Sequence, residues 1–211
     1  AEELLHGRVV VLLLREHGHQ HVGRLTDRPG ATPVHRDVGI DVGRVELANA
    51  EYWQGKCASA LTHADAGSLL YEPGRHHTLV STFSQDPGVA SLSFAAVSLS
   101  NLGWPDRALA RAREAVELAH QLAGHPYSLA LALFFETVVH ANRRDVMAQR
   151  ERAEELIALC EPNGFPLFLG VGRMFDGAAR VAAGESGAIA EILAGIALSA
   201  GTGSQSGAPG I

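Results

Sequence analysis

Apolar residues recur along most of this chain with the spacing of amphipathic helices, in units of about 40 residues. Each unit places an alanine near the start of a helix-patterned stretch, directly after a turn. The alanines that share this position are Ala60, Ala108, Ala148 and Ala188, of which the last three recur at about 40 residues. The turns that precede them contain Gly55, Gly103, Arg144 and Gly184. Paired helical stretches at this period predict stacked helical hairpins.

The clearest hairpin follows Asp86–Pro87, an N-cap acid with proline at the first helical position. Its first helix is predicted to reach Leu102, and its second helix to run over 105–122. Apolar residues of the second helix form one stripe, at Ala108, Leu109, Ala112, Ala115, Val116 and Ala119. A small residue at the helix crossing lets two backbones approach. One hairpin cannot bury both its faces, so neighbouring hairpins are expected to stack.

The same pattern divides the chain into three parts. Residues 1–43 form a poorly patterned N-terminal segment, in which Glu2–Glu16 fits a helix or a strand and Gly18–Gly43 shows neither periodicity. Residues 44–200 form the predicted repeat domain. Residues 201–211 are rich in Gly, Ser and Pro, which is typical of a flexible tail. The predicted fold is all-α, a superhelix of stacked antiparallel hairpins that is tetratricopeptide-like with a period of about 40.

Composition narrows the function classes. The 211 residues carry a net charge of -6, which argues against a nucleic-acid partner. No segment is long and apolar enough to predict a membrane span. Cys57 and Cys160 lie in different repeats, which indicates reduced thiols and a cytoplasmic protein. The chain begins without Met and its last repeat has no closing helix, so we expect a fragment of a longer protein.

Histidines are the first candidates for chemistry. His17, His19 and His21 alternate, and on a strand they would share one side as metal ligands. Gly18 makes that backbone flexible and no cysteine cluster supports a closed site, so loop histidines without a role are the favoured interpretation. The same holds for His35 and for His76–His77. A metal-dependent enzyme that uses the N-terminal histidine run is kept as an alternative.

Two acids at equivalent positions are the second candidates. Glu136 and Asp176 lie 40 residues apart on successive first helices and can pair as catalytic carboxylates. A stacked polar stripe is the favoured interpretation. Gly55–Lys56–Cys57 lacks the upstream glycine and the Ser or Thr of a phosphate-binding loop. Neither a nucleophile elbow nor an H-E-x-x-H helix is present. We therefore predict no catalytic, cofactor-binding or metal-binding residue and no enzyme activity.

The inner face of the first helices is the predicted binding surface. Its wall is predicted to include Ser93, Val97, Leu133 and Thr137. The predicted partner-binding residues are Ser100, Asn101, His140, Arg173 and Arg180. Arginines on a concave wall suit an acidic peptide or a C-terminal carboxylate. The alternatives are a solvated groove and a groove covered by the rest of the parent protein.

Several short motifs resemble a known family. The small residue at the crossing, the short turn and the Pro after the second helix resemble tetratricopeptide-type repeats. A more specific resemblance is to the C-terminal helical region of bacterial predicted ATPases fused to class III adenylate/guanylate cyclase domains. It covers roughly 44–200, and its motifs are Gln85–Asp86–Pro87–Gly88–Val89, Leu102–Gly103–Trp104–Pro105–Asp106–Arg107–Ala108 and His125–Pro126–Tyr127–Ser128–Leu129–Ala130.

The resemblance implies a non-catalytic scaffold for protein–protein or intramolecular regulatory contacts. Its partner would be a protein, a peptide or another domain of the same parent, and no cofactor is implied. Any cyclase or ATPase activity would lie in other parts of that parent. A free-standing adaptor that binds a peptide is the alternative.

Overall fold

A computed structural model describes residues 33–73, 85–122 and 124–202, with side chains from Gly43 onward. Within these ranges the chain forms helices and no strand. A short 3-10 turn, Ser186–Ala188, precedes the last helix. In chain order the α-helices are α1 (Pro33–Trp53), α2 (Cys57–Leu70), α3 (Pro87–Asn101), α4 (Pro105–Gln121), α5 (Pro126–Arg143), α6 (Val146–Asn163), α7 (Pro166–Ala182) and α8 (Ile189–Ala200).

The helices pair in sequence order and the pairs stack. The hairpins are α1/α2, α3/α4, α5/α6 and α7/α8, and each odd-numbered helix after α1 also packs against the even-numbered helix before it. Consecutive odd-numbered helices touch as well, from α1 against α3 to α5 against α7. Each hairpin therefore contacts mainly its neighbours in sequence, as expected for a one-dimensional array. The predicted all-α fold is confirmed at this level.

Backbone conformation explains where the hairpins turn. Gly55, Gly103 and Gly184 adopt positive φ values of 78°, 85° and 96° at three of the predicted breaks. Arg144 closes α5 with φ 59°, so a non-glycine residue takes the left-handed conformation at the fourth break. The start of α3 is fixed by Asp86, whose Oδ1 accepts hydrogen bonds from the amides of Gly88 and Val89. These positions match the predicted turns.

The core lies along the odd-numbered helices. Phe94 of α3 meets Phe135 of α5 with ring centroids 5.1 Å apart, and both rings are buried. Every residue of α5 from Ala130 to His140 is buried, because α5 packs against α3, α4, α6 and α7. Four surrounding helices leave this stretch no face toward solvent.

Two sequence predictions need correction. The first helix begins at Pro33, about three turns before the predicted boundary near Arg44. Ala60, Ala108 and Ala188 are buried as expected, but Ala148 is only half-buried. In α6 the buried stripe instead starts one residue later, at Gln149, and continues through Ala153, Leu156 and Cys160. The Nε2 of Gln149 donates a 2.8 Å hydrogen bond to the carbonyl of Phe175, which holds α6 in this register.

Helices α7 and α8 approach most closely at glycines. A Cβ at Gly170 would lie 2.6 Å from the carbonyl oxygen of Gly195, and a Cβ at Gly195 would lie closer still to the carbonyl oxygen of Gly170. Contacts this short with backbone atoms leave no room for a side chain. The last hairpin therefore depends on these two glycines for its packing.

Candidate functional site

Two polar clusters occupy equivalent places in consecutive hairpins. In α5, His140 lies between two carboxylates, with Nε2 3.7 Å from Glu136 Oε1 and Nδ1 3.6 Å from Asp145 Oδ2. Glu136 and His140 are buried, whereas Asp145 lies half-exposed in the turn that follows. Oε2 of Glu136 and Nδ1 of His140 have no hydrogen-bond partner among the described residues. We call this the α5 cluster.

The α7 cluster repeats the arrangement 40 residues later, with Arg180 at the position of His140. Arg180 donates hydrogen bonds to Glu185 at 2.8 Å and to Glu191 at 2.9 Å, and its Nη1 lies 3.8 Å from Asp176. Arg150 of α6 approaches Asp176 from the other side at 3.7 Å. Burial raises the pKa of Asp176, and the charges of Arg150 and Arg180 oppose that shift. The acids around Arg180 raise its pKa further above its ordinary value.

This geometry bears on whether Glu136 and Asp176 form a catalytic pair or a stacked polar stripe. Each acid lies beside a base one helical turn later on its own helix. Each acid pairs with bases of its own cluster, Glu136 with His140 and Asp176 with Arg150 and Arg180. A catalytic carboxylate pair needs both groups to converge on one substrate. The favoured interpretation, a stacked polar stripe, fits this pairing better.

The five predicted partner-binding residues fall into separate environments. Ser100 is half-buried and its Oγ accepts a 3.0 Å hydrogen bond from the Nδ2 of Asn142 on the next odd-numbered helix. Asn101 is exposed at the end of α3, and its Nδ2 lies 3.7 Å from the Sγ of Cys57. Asn101 also bonds to Tyr52, whose pKa is raised to about 12 chiefly by burial. These two residues lie near the turn end of the second hairpin.

The basic members do not share an open groove. His140 is 4% exposed inside the α5 cluster. Arg173 donates a 3.0 Å hydrogen bond to Glu161, while Arg180 donates to Glu185 within the α7 cluster. Arg173 and Arg180 lie roughly 10 Å apart along the helix axis, and each is held by its own carboxylates. Their role in partner binding stays a prediction.

The predicted inner wall is also not accessible in the middle of the stack. Its four remaining members are fully buried, namely Ser93, Val97, Leu133 and Thr137. The hydroxyls of Ser93 and Thr137 donate to backbone carbonyls one turn earlier, at 2.7 Å each. Consecutive odd-numbered helices touch each other, and this contact covers the face that a single hairpin would expose. The expectation of an exposed wall at these positions is wrong.

A polar joint that the sequence reasoning missed connects three segments. Asp86 accepts a 2.9 Å hydrogen bond from the hydroxyl of Tyr71, and its own amide donates to the Oγ of Ser128 at 2.8 Å. The Nδ1 of His125 lies 3.1 Å from the same Oγ. A serine beside a histidine suggests a nucleophile. Ser128, however, is fully buried with its hydroxyl already engaged, so the joint ties the second hairpin to the third.

The cysteines and histidines were also considered as metal ligands. Among the described residues, no group of three or more His, Cys, Asp or Glu side chains is placed to hold a metal ion. His17, His19, His21 and the pair His76–His77 lie outside the described residues, as does the side chain of His35. Cys57 and Cys160 are unpaired thiols. Burial raises the pKa of Cys160 to about 11, which keeps it protonated and unreactive at neutral pH.

Among the described helices, none is both long and apolar enough to span a membrane. The chain was compared with protein-family models, with curated proteins and with solved structures, and none of the three comparisons gave a significant match.

Proposed function

We propose that this chain is a non-catalytic helical-repeat scaffold, a tetratricopeptide-like superhelix that makes protein–protein or intramolecular regulatory contacts. The proposal rests on which helices pack against each other along the chain. Each hairpin packs on the next through the same set of neighbours, from α1/α2 through α7/α8. Proteins built in this way present long surfaces to other proteins and have no central pocket of their own.

The polar clusters support the same proposal. In the α5 and α7 clusters, acids and bases recur at one repeat spacing and are matched to each other. Glu136 and His140 are buried, and Arg180 is engaged by three carboxylates of the fold. A structural role in fixing each hairpin to its turn accounts for both clusters.

We further propose that the scaffold belongs to a bacterial signalling ATPase with a nucleotide cyclase domain, and that it acts in the cytoplasm. The support is the set of short motifs around Asp86, Gly103 and His125, together with two unpaired thiols. In such a protein the stack would transmit or restrain motion between domains. The catalytic groups would lie elsewhere in the parent.

The test is made on the complete reading frame that contains this chain. We expect it to encode an ATPase and a cyclase domain, and we expect Phe135→Ala, which disrupts the stack, to change cyclic nucleotide formation. The catalytic domains should still bind ATP in that variant. A reading frame without such domains, or a variant with unchanged activity, would contradict the regulatory role.

The purified chain itself provides a second arm. We expect no turnover of ATP and no stoichiometric metal by elemental analysis. Stoichiometric zinc that is lost in His19→Ala would overturn the non-catalytic proposal in favour of the metal-dependent alternative.

A further inference from the structure

The last helix carries an apolar face that the described chain does not cover. Ile189 and Leu193 are 52% and 62% exposed, and they lie one turn apart on α8. Further exposed positions on the same side are all small, namely Ala190, Ala194, Ala197 and Ala200. The single charged residue of α8, Glu191, is held by Arg180 on another side of the helix. We call this set the α8 face.

The previous even-numbered helix, α6, shows what packs against this side of such a helix. The buried stripe of α6, from Gln149 to Cys160, recurs 39 positions later in α8, where Ala188 and Gly195 are buried. In α6, Arg150, Ile157 and Glu161 lie against α7, and the charge of Glu154 acts on Asp176 of α7. Their counterparts in α8 are Ile189, Leu193, Ile196 and Ala200. Ile189, Leu193 and Ala200 of the α8 face thus correspond to positions of α6 on the side that packs against α7.

Charge distinguishes the possible occupants. Where α7 docks on α6, it brings Arg173 and Asp176, which meet Glu161 and Arg150. The α8 face offers no such partners, so a helix with charges at these positions would bury them unpaired, which is costly. The occupant must be as apolar as the face itself. A second α8 has this chemistry.

We propose that the α8 face is the interface of a homodimer in which α8 packs against α8 of a second copy. In a two-fold symmetric contact each residue meets the same surface on the partner, so any unpaired charge would be repelled by its own copy. The α8 face has none. Alanines around Leu193 let the two backbones approach closely. This inference goes beyond the scaffold role, because it concerns copies of this chain and not its regulatory partner.

One helix pair buries less than the roughly 1,600 Å² of a standard stable interface. We therefore expect a weak dimer with a dissociation constant in the micromolar range. Sedimentation velocity of the full chain from low to high micromolar concentration should show conversion from 22.3 kDa to twice that mass. A monomer at every concentration would overturn the proposal, and so would growth beyond a dimer, which indicates head-to-tail stacking.

Leu193→Glu tests the surface. Because it buries a charge against its own copy, it should raise the dimer dissociation constant by about tenfold or more. The matched control is Leu69→Glu, at a leucine of α2 that is 87% exposed, and it should leave the dimer unchanged. Equal dimerisation of the two variants, or loss of the dimer in both, would reject the α8 face.

A cysteine cross-link tests the α8–α8 contact independently of any folding defect in Leu193→Glu. Ala197→Cys should form a covalent dimer under mild oxidation, because Ala197 lies opposite the buried side of α8. Ala158→Cys is its matched control, since Ala158 is exposed at the same position of α6. Cross-linking in the control alone, or in neither variant, would contradict an α8–α8 contact. That outcome would leave the proposed scaffold role untouched, because that role is read out in the parent enzyme.

Discussion

Helices α5 and α8 belong to one stack and differ in what surrounds them. α5 lies among four helices and is buried at every residue from Ala130 to His140, although it carries Glu136 and His140. α8 packs mainly against α7, and Gly195 is its one buried residue. This low burial contrasts with its sequence, which is apolar apart from a single charged residue. Burial in this fold therefore follows the position of a helix in the array more than its own hydrophobicity. An apolar helix that packs mainly against one other described helix is left with an exposed face.

The largest contrast should come from removing one side chain in each helix. Phe135→Ala leaves a cavity beside Phe94 and Phe134 and should cost about 3–5 kcal/mol. Leu193→Ala removes a mostly exposed side chain and should cost less than about 0.5 kcal/mol. Urea midpoints of dilute protein measure both. Similar losses in the two variants would mean that α8 is covered in the monomer.

A smaller effect is expected at the close approach of α7 and α8. Gly170→Ala places a methyl group 2.6 Å from the carbonyl oxygen of Gly195 and should destabilise by about 1–3 kcal/mol. Gly187→Ala is its control, because a Cβ there meets nothing within 4 Å. Thermal unfolding of both variants decides the matter. If Gly170→Ala is as stable as the control, the last two helices are not in tight contact.

Alkaline pH should weaken the covered part of the stack. Burial raises the pKa of Cys160 from 9.0 to about 11 and that of Tyr52 from 10.0 to about 12. The unfolded chain therefore loses these protons first, and stability is lost as pH rises from 9 toward 12. Denaturant midpoints across this range should fall less steeply in Tyr52→Phe.

Thiol reagents should leave Cys160 of the native protein unmodified at neutral pH. Rapid labelling of Cys160 would contradict its burial.

The smallest effects are expected at the two arginines predicted to bind a partner. Arg180→Glu places a fourth carboxylate among Asp176, Glu185 and Glu191, so its melting temperature should fall. Arg173→Glu loses a single exposed pair with Glu161 and should melt close to the parent chain. Because the first change disturbs the fold, partner binding is better tested with Arg173→Glu and Arg180→Gln. Equal melting temperatures for the two reversals would show that the α7 cluster contributes nothing.

Local signals in the sequence located the turns well. Asp86–Pro87 marks the start of α3. Gly55, Gly103 and Gly184 mark the turns of three hairpins, because each adopts a positive φ that other residues rarely adopt. The start of α1 was missed because Gly39, Gly43 and several charges weaken its apolar pattern. The register of α6 was missed by one residue because the buried position is taken by Gln149, whose amide bonds to α7.

The candidate surface was harder to predict, for a physical reason. Whether Thr137 or Val97 is exposed depends on how closely consecutive odd-numbered helices approach, and a single hairpin does not contain that information. The same holds for Arg180, which looks free on its own helix and is held by Glu185 and Glu191 from the next segment. Conversely, the apolar sequence of α8 is typical of a core helix, yet among the described helices α8 packs mainly against α7.

Hydrogen exchange resolved along the chain tests most directly whether position in the stack sets protection. At a concentration where the protein is monomeric, amides of α3 and α5 should exchange slowest and those of α8 fastest, because opening α8 breaks contacts with mainly one neighbour. Protection should fall in steps from the third hairpin to the last. Exchange in α8 as slow as in α5, or one uniform rate through all the described helices, would contradict the account.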